Sequence, residues 1–243
     1  MLRESPIRRT SLVDEIGARL QEDILAGKYR PGEALPPERE LSERYGVTRT
    51  SLKHALVRLE ELGLIETRHG VGSIVLDVEQ SGGADLLKYL APSAEGSRDG
   101  SFFSEILEAK TAVCASFVEL AAERRTEKEL SQAESLLVEL SEKIDDAREV
   151  QRIEHAFVKV LARAAHNRAF VLLTNSVGAA YSFYWGKYQS VFEDGEWVEE
   201  NLRAILEAIR KKDAPRAREL TQKYFRENDR RVLDVLGYGR KAK

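Results

Sequence analysis

Four polar side chains at helical spacing pose the first chemical question. Arg49, Thr50, Lys53 and His54 interleave with Leu52, Ala55, Leu56, Leu59 and Leu62 in the run YGVTRTSLKHALVRLEELGLI. Wound as a helix, the apolar residues share one face and the donors take the opposite one. An Arg on such a face presents a fork of donors that fits guanine O6 and N7. A Lys offers a point charge to phosphate, and the hydroxyls and free amides of the helix start hold phosphate oxygens. The same face also suits an ordinary solvated helix, so the surrounding elements have to decide.

Those elements are arranged as a reading head needs them. Ser11 is placed to cap a first helix in which Leu12, Val13, Ile16, Leu20, Ile24 and Leu25 recur at helical spacing until Gly27. YRPGEALPPERE is a turn, Pro37 suits the first position of a second helix, and Gly46 closes that helix after Tyr45. Thr48 then caps the third helix, which runs to about Leu62 before Gly63. LIETRHGVGSIVL has strand composition on both sides of GVG and predicts a hairpin with His69 and Gly70 at its tip. A glycine there lets the backbone approach a groove or a phosphate closely. Arg39, near the start of the second helix, extends toward a partner from the side. Three helices and a glycine-tipped wing together favour a surface that is laid against nucleic acid.

The stretch PGEALPPERELSERYGVTRTSLKHALVRLEELGLIETRHGVGSIV resembles the winged helix-turn-helix domain of the GntR family of bacterial transcription regulators, over about Leu12 to Leu76. The resemblance implies double-stranded operator DNA as the partner. It places Arg39, Thr48, Arg49, Thr50, Ser51, Lys53, His69 and Gly70 at the DNA-contacting positions. Position 53 is more often Arg in that family, so Lys53 points to phosphate contact rather than a bidentate base contact.

Composition changes at DVEQSGG and again at APSAEGSRDGS, which marks residues 77–100 as a linker with a short connecting helix. The organisation expected is a DNA-binding domain over 1–76, that linker, and an all-α effector-binding and dimerisation domain over 101–243. In the last part helical patterns run over about 102–125, 127–147, 149–166, 168–192 and 196–236, with a break near Asp213–Pro215. The whole is a mainly α fold with one β-hairpin.

An all-α domain after such a head is similar to the effector-binding domain of the FadR subfamily. One branch of that subfamily holds a divalent metal with an Asp and three His. Aligned through RIEHAFVKVLARAAHNRAF, those positions fall on Glu154, Val158, Leu202 and Tyr224, and Val and Leu offer a metal no lone pair. His54 and His69 lie in the head, and His155 and His166 lie off the register, so no metal is expected. The other branch is the metal-free, fatty-acyl-CoA-responsive type. GADLLKYLA, ILEAKTAVCASF and AAYSFYWGKYQSVF resemble it, which implies an effector near Lys110, Tyr188 and Tyr224. From the residues alone, Tyr181, Tyr184, Trp185 and Tyr188 form an aromatic stripe with polar tips, which lines a pocket or packs in a core or dimer interface. Lys110, on a helix with Ile106, Leu107, Val113 and Phe117, is either a snorkelling surface lysine or an anchor for an anion. A long-chain fatty acyl-CoA is the first effector expected, and a small organic acid, bound with or without a metal, is the alternative.

Bulk properties agree. The 243 residues carry a net charge of −3 with 33% charged side chains, so any basic patch is balanced elsewhere in the chain. One cysteine, Cys114, excludes an intrachain disulfide and fits a reducing compartment. No apolar run is long enough for a bilayer, and the start MLRESPIRRTSLVDE lacks the apolar core of a secretory signal, so a cytoplasmic protein without a membrane partner is expected. No Ser/His/Asp set or phosphate loop argues for an enzyme. A homodimer is expected, with two recognition helices in successive major grooves of a near-palindromic operator.

Overall fold

The computed structural model describes residues 12–90, 101–182 and 186–238, and the chain divides into two compact units, Met1–Leu86 and Leu87–Lys243. The first unit holds α1 (Leu12–Leu25), α2 (Glu38–Tyr45), α3 (Arg49–Glu61), an antiparallel hairpin of β1 (Ile65–Arg68) and β2 (Gly72–Val75), and a short α4 (Val78–Ser81). Ser11, expected to cap α1, lies outside the described residues.

Ile16, Leu20 and Ile24 of α1 are buried, as are Leu52, Ala55, Leu56 and Leu59 of α3, and the two helices pack together. Each such leucine or isoleucine contributes about 1.5–3 kcal/mol by leaving water. Gly17 faces Ala55 at this contact, where a Cβ would stand 3.9 Å from the Ala55 Cβ, an ordinary packing distance. Gly46 adopts φ 64°, the left-handed conformation that glycine alone enters at little cost, and the Val47 N–H turns back to the Ser42 carbonyl at 2.9 Å. This reversal sets α3 directly after α2.

In the hairpin, Ile65 pairs with Val75 and Arg68 with Gly72, which leaves His69, Gly70 and Val71 as the tip. The other edge of β2 is occupied too. The Leu35 N–H donates to the Ser73 carbonyl at 2.8 Å, and the Val75 N–H donates to the Glu33 carbonyl at 2.9 Å. The wing is therefore held from both sides and does not hang free.

Residues 77–86 do not behave as a plain linker. Asp77 caps α4, and the Ser81 hydroxyl donates to the Gly63 carbonyl at 3.1 Å. A Cβ on Gly63 would collide with the Ser81 carbonyl, and Leu86 is fully buried. This segment packs back on the first unit and extends it to Leu86, ten residues past the expected Leu76. Local polarity hid that return, because one hydroxyl and one glycine carry it. Residues 91–100 of the expected linker lie outside the described residues.

The second unit is helical: α5 (Leu87–Leu90), α6 (Ser101–Arg124), α7 (Glu127–Glu142), α8 (Ala147–Ala164), α9 (Arg168–Ser182), α10 (Gly195–Arg210) and α11 (Ala214–Val235). α6 lies along α11, α7 against α8, and α10 against both α7 and α11. Side-chain caps mark the starts. Thr126 and Glu129 form a reciprocal capping box on α7, and Asp146, Asp194 and Asp213 cap α8, α10 and α11. The break expected near Asp213–Pro215 is the α10–α11 junction.

The helix expected over 168–192 stops at Ser182, and a separate 3₁₀ turn spans Gln189–Phe192. Gly186 lies in the gap and weakens helix continuation. Tyr188, Val191 and Phe192 are instead buried against the second unit's core. Burial of these three outweighs the helical periodicity that the sequence carries. Among the described residues no helix is long and apolar enough to cross a membrane.

Candidate functional site

The polar face of α3 is built from its start. Thr48 is the N-cap, and its Oγ1 accepts from the Ser51 N–H at 3.1 Å and lies 3.0 Å from the Ser51 Oγ. These two hydroxyls order the first turn, so they act through the helix end as much as on any ligand. Arg49, Thr50, Lys53 and His54 are all exposed, whereas Leu52, Ala55, Leu56 and Leu59 point into the unit. Among the described residues no ion pair is recorded for Arg49 or Lys53, so their charges remain available. Arg58, one turn on, is tied to Asp14 of α1 and fixes the far end of α3. Arg39 is exposed and sits 3.8 Å from Glu43, a loose pair that a phosphate can displace.

The wing adds His69 and Gly70 at its tip, Gly70 with φ 79°. Sequence reasoning missed Val71 beside them, which is 63% exposed. Its signal was an apolar residue between two glycines that both take positive φ. The helix start, the exposed cations and the wing belong to one compact unit and offer phosphate donors, base-edge donors and a close-approaching backbone.

The second candidate is a cavity of about 70 Å³ bordered by α6, α8, α9, α11 and the 3₁₀ turn. Its apolar lining includes Val113, Val158, Val177, Phe192 and Phe225. Its polar lining includes Lys110, Gln151, Glu154, His155, Tyr188 and Asn228. Lys110 and Asp229 form a buried ion pair across α6 and α11, and the Thr111 hydroxyl donates to the other Asp229 oxygen at 2.8 Å. The Lys110 ammonium also lies 4.6 Å from the centre of the Phe225 ring. Lys110 is thus neither a surface lysine nor a free anion anchor, because Asp229 already neutralises it. The two are 119 residues apart, which no local pattern reveals.

Glu154 is buried and lines the same cavity. Burial pushes its carboxyl up to about 7, Lys110 pulls it down, and the Asp229 charge pushes it further up. Burial likewise lowers His155 to about 4, so it is neutral near physiological pH, and raises the Cys114 thiol to about 12, which makes it inert. Burial also raises the Tyr188 phenol, and a hydrogen bond from Gln151 partly offsets this. The Asn228 Oδ1 is buried without a hydrogen-bond partner.

The expected effector residues separate here. Tyr188 lines the cavity, but from the turn after α9 and not from a helical stripe. Tyr184 and Trp185 lie outside the described residues, and of Tyr181 only the backbone in α9 is described. Tyr224 does not line the cavity. It is fully buried between Trp197 and Phe225, at ring separations of 5.2 and 5.0 Å, and its hydroxyl has no partner. The positions aligned with metal ligands are also placed: Val158 and Leu202 line one small apolar void, and Glu154 lines the cavity. The donor set Glu154, Val158, Leu202 and Tyr224 does not fit a metal, since two of the four carry no lone pair.

Comparison with known proteins gives a consistent result. Residues 12–75 match the pattern described as bacterial regulatory proteins, gntR family, and residues 105–227 match the FCD domain. An uncharacterised HTH-type transcriptional regulator of Mycobacterium tuberculosis is 33% identical, over 94% of this chain and 92% of that protein. The Uxu operon transcriptional regulator of Escherichia coli is 31% identical, over 90% and 86% of the two chains. A fatty acid metabolism regulator protein of Pectobacterium atrosepticum is 28% identical, over 79% and 78%.

Proposed function

The chain belongs to the gntR family of bacterial regulatory proteins and carries an FCD domain, and from that premise we propose how it acts as a ligand-controlled DNA-binding transcription regulator. It is not an enzyme. The observation that carries the DNA half is the exposed Arg49–Thr50–Lys53 face on a helix whose start is ordered by Thr48. In this reading α3 enters the major groove, Arg49 reads a base edge, Lys53 and Arg39 hold phosphates, and His69 and Gly70 bring the wing to the backbone. Two chains pair, so that two α3 helices reach half-sites about 34 Å apart. An effector in the second unit changes operator affinity only as far as it binds the competent and incompetent arrangements unequally, and the coupling is reciprocal.

The cavity favours a small effector. At about 70 Å³ it holds a handful of heavy atoms, against about 300–1,000 Å³ for pockets that take drug-sized ligands. A specific observation supports the larger alternative, a long-chain acyl-CoA: one relative is named a fatty acid metabolism regulator protein, and apolar residues stand at the ligand positions of the metal branch. That reading requires the helices around Phe192 and Phe225 to part. A gel-shift titration distinguishes the two. Selected operator fragments should be bound by the full chain, and a small ligand, but not micromolar palmitoyl-CoA, should change that binding. Release by palmitoyl-CoA alone would favour the acyl reading, and failure to bind any selected fragment would overturn the regulator reading.

A further inference from the structure

The cavity in the second unit presents charges and acceptors in a combination that selects one ligand chemistry. One buried carboxyl group lines it, Glu154 on α8, and a second, Asp229 on α11, lies behind the lining; both residues are less than a tenth exposed. One buried cation, Lys110, faces them and is paired with Asp229. His155, the remaining titratable group of the lining apart from Cys114 and Tyr188, is neutral there. Lys110 is bonded to Asp229 and acts on Glu154 only through space, so the three groups together carry one net negative charge whenever Glu154 is ionised. Glu154 is also without a hydrogen bond among the described residues. On α11 Asn228, 4% exposed, is also in the lining, and its Oδ1 is a buried acceptor that meets no donor. Buried acceptors left in this way are costly unless a partner supplies N–H or O–H groups.

We propose that the effector is a small amine, whose ammonium sits against the Glu154 carboxylate and donates to the Asn228 Oδ1, and that the cavity rejects carboxylates. This rests on the reading that the second unit holds a small-molecule effector. An ammonium brings three donors and one positive charge, so it satisfies both acceptors and balances the buried charge. The Phe192 and Phe225 rings in the lining suit a cation as well. A carboxylate ligand would instead add a further negative charge beside Glu154, where Lys110 is already paired with Asp229. Its desolvation would not be repaid, because among the described residues the one ammonium in the lining is already engaged by Asp229. The volume admits roughly five water-sized groups at about 10–15 Å³ each, which matches an amino alcohol or short alkylamine.

Calorimetric titration of the full chain without DNA tests this, with ethanolamine and propylamine as amine probes and propionate and lactate as acid probes. Saturable binding of at least one amine is expected, with neither acid binding. Glu154→Gln keeps the shape and removes a buried charge, so it should fold, and it should weaken the amine roughly tenfold or more, the loss expected for a charged hydrogen bond. Asn228→Leu should weaken it less. The proposal is overturned if an acid binds as tightly as the amines, if no amine binds at millimolar concentration, or if Glu154→Gln binds amine unchanged. An acid that binds and shifts operator affinity would leave the regulator reading standing and remove only the amine. Loss of DNA binding in every condition would remove the regulator reading and leave the calorimetry to decide on the amine.

Discussion

Deleting the Asp229 carboxylate should cost the second unit much of its stability, and the cost should fall as pH rises. In Asp229→Ala the Lys110 ammonium stays inside, on a side chain only 12% exposed, while the group that neutralised it is gone. Stranding one member of a buried ion pair costs about 3–5 kcal/mol. Lys110 keeps two lesser partners, the Phe225 ring and the charge of Glu154. In the wild type, burial first and the Asp229 charge second hold the Glu154 carboxyl at about 7, against an ordinary value of 4.5. Without Asp229 that carboxyl stays raised by burial but loses the upward push of the Asp229 charge, and its ionised form faces Lys110 alone. The folded variant then binds the Glu154 proton less tightly than the folded wild type does. Relative to wild type, its stability rises with pH within the window from 4.5 to about 7. With one pKa unit worth about 1.36 kcal/mol, the recovery is at most about 3 kcal/mol. Urea denaturation followed by circular dichroism should therefore show a larger loss at about pH 5.5 than at about pH 8. The double variant Lys110→Met, Asp229→Leu should lie within about 1–2 kcal/mol of wild type at both. A single-variant loss under about 1 kcal/mol, or one that does not change between the two pH values, would refute the buried pair as drawn.

Other consequences are simpler to read. Arg49→Ala should cost about 1–3 kcal/mol at one operator base position, seen by titrating operator variants; a uniform loss across all variants would reduce Arg49 to a phosphate contact. Thr48→Ala removes the side-chain cap of α3 and should lower stability by about 1 kcal/mol in thermal melts, while Thr48→Ser should retain most of it. Tyr224→Phe deletes a buried hydroxyl that has no partner, so the variant should be as stable as wild type or more so by about 1 kcal/mol. A marked loss on that change, or a loss of effector response, would show that the hydroxyl meets a ligand.

The head was legible because its signals are local. A cap, a left-handed glycine and a leucine stripe each act within four residues, and together they place α3 and its donors. The second unit was legible as helices but not as a site. Its key pair, Lys110 and Asp229, joins residues whose helices meet only after folding. Periodicity also misled at Tyr188, which keeps the helical spacing but sits at the start of a separate 3₁₀ turn. One signal was present and unused. Val150, Ile153, Glu154, Phe157, Val160 and Leu161 recur as the buried stripe of α8, and Glu154 is the charged residue within it. A carboxylate in that position has either a buried partner or a ligand to meet.

The central claim is that the exposed cations of α3 give this chain its grip on DNA. It is tested most directly by letting the full chain select from a random duplex pool and then measuring binding of the enriched sequence by wild type and by Arg49→Ala, Lys53→Ala. The account predicts that wild type enriches a near-palindromic site and that the double variant, with its fold intact by circular dichroism, binds that site at least about tenfold more weakly. Equal binding by the two proteins, or a wild type that enriches no sequence, would contradict it.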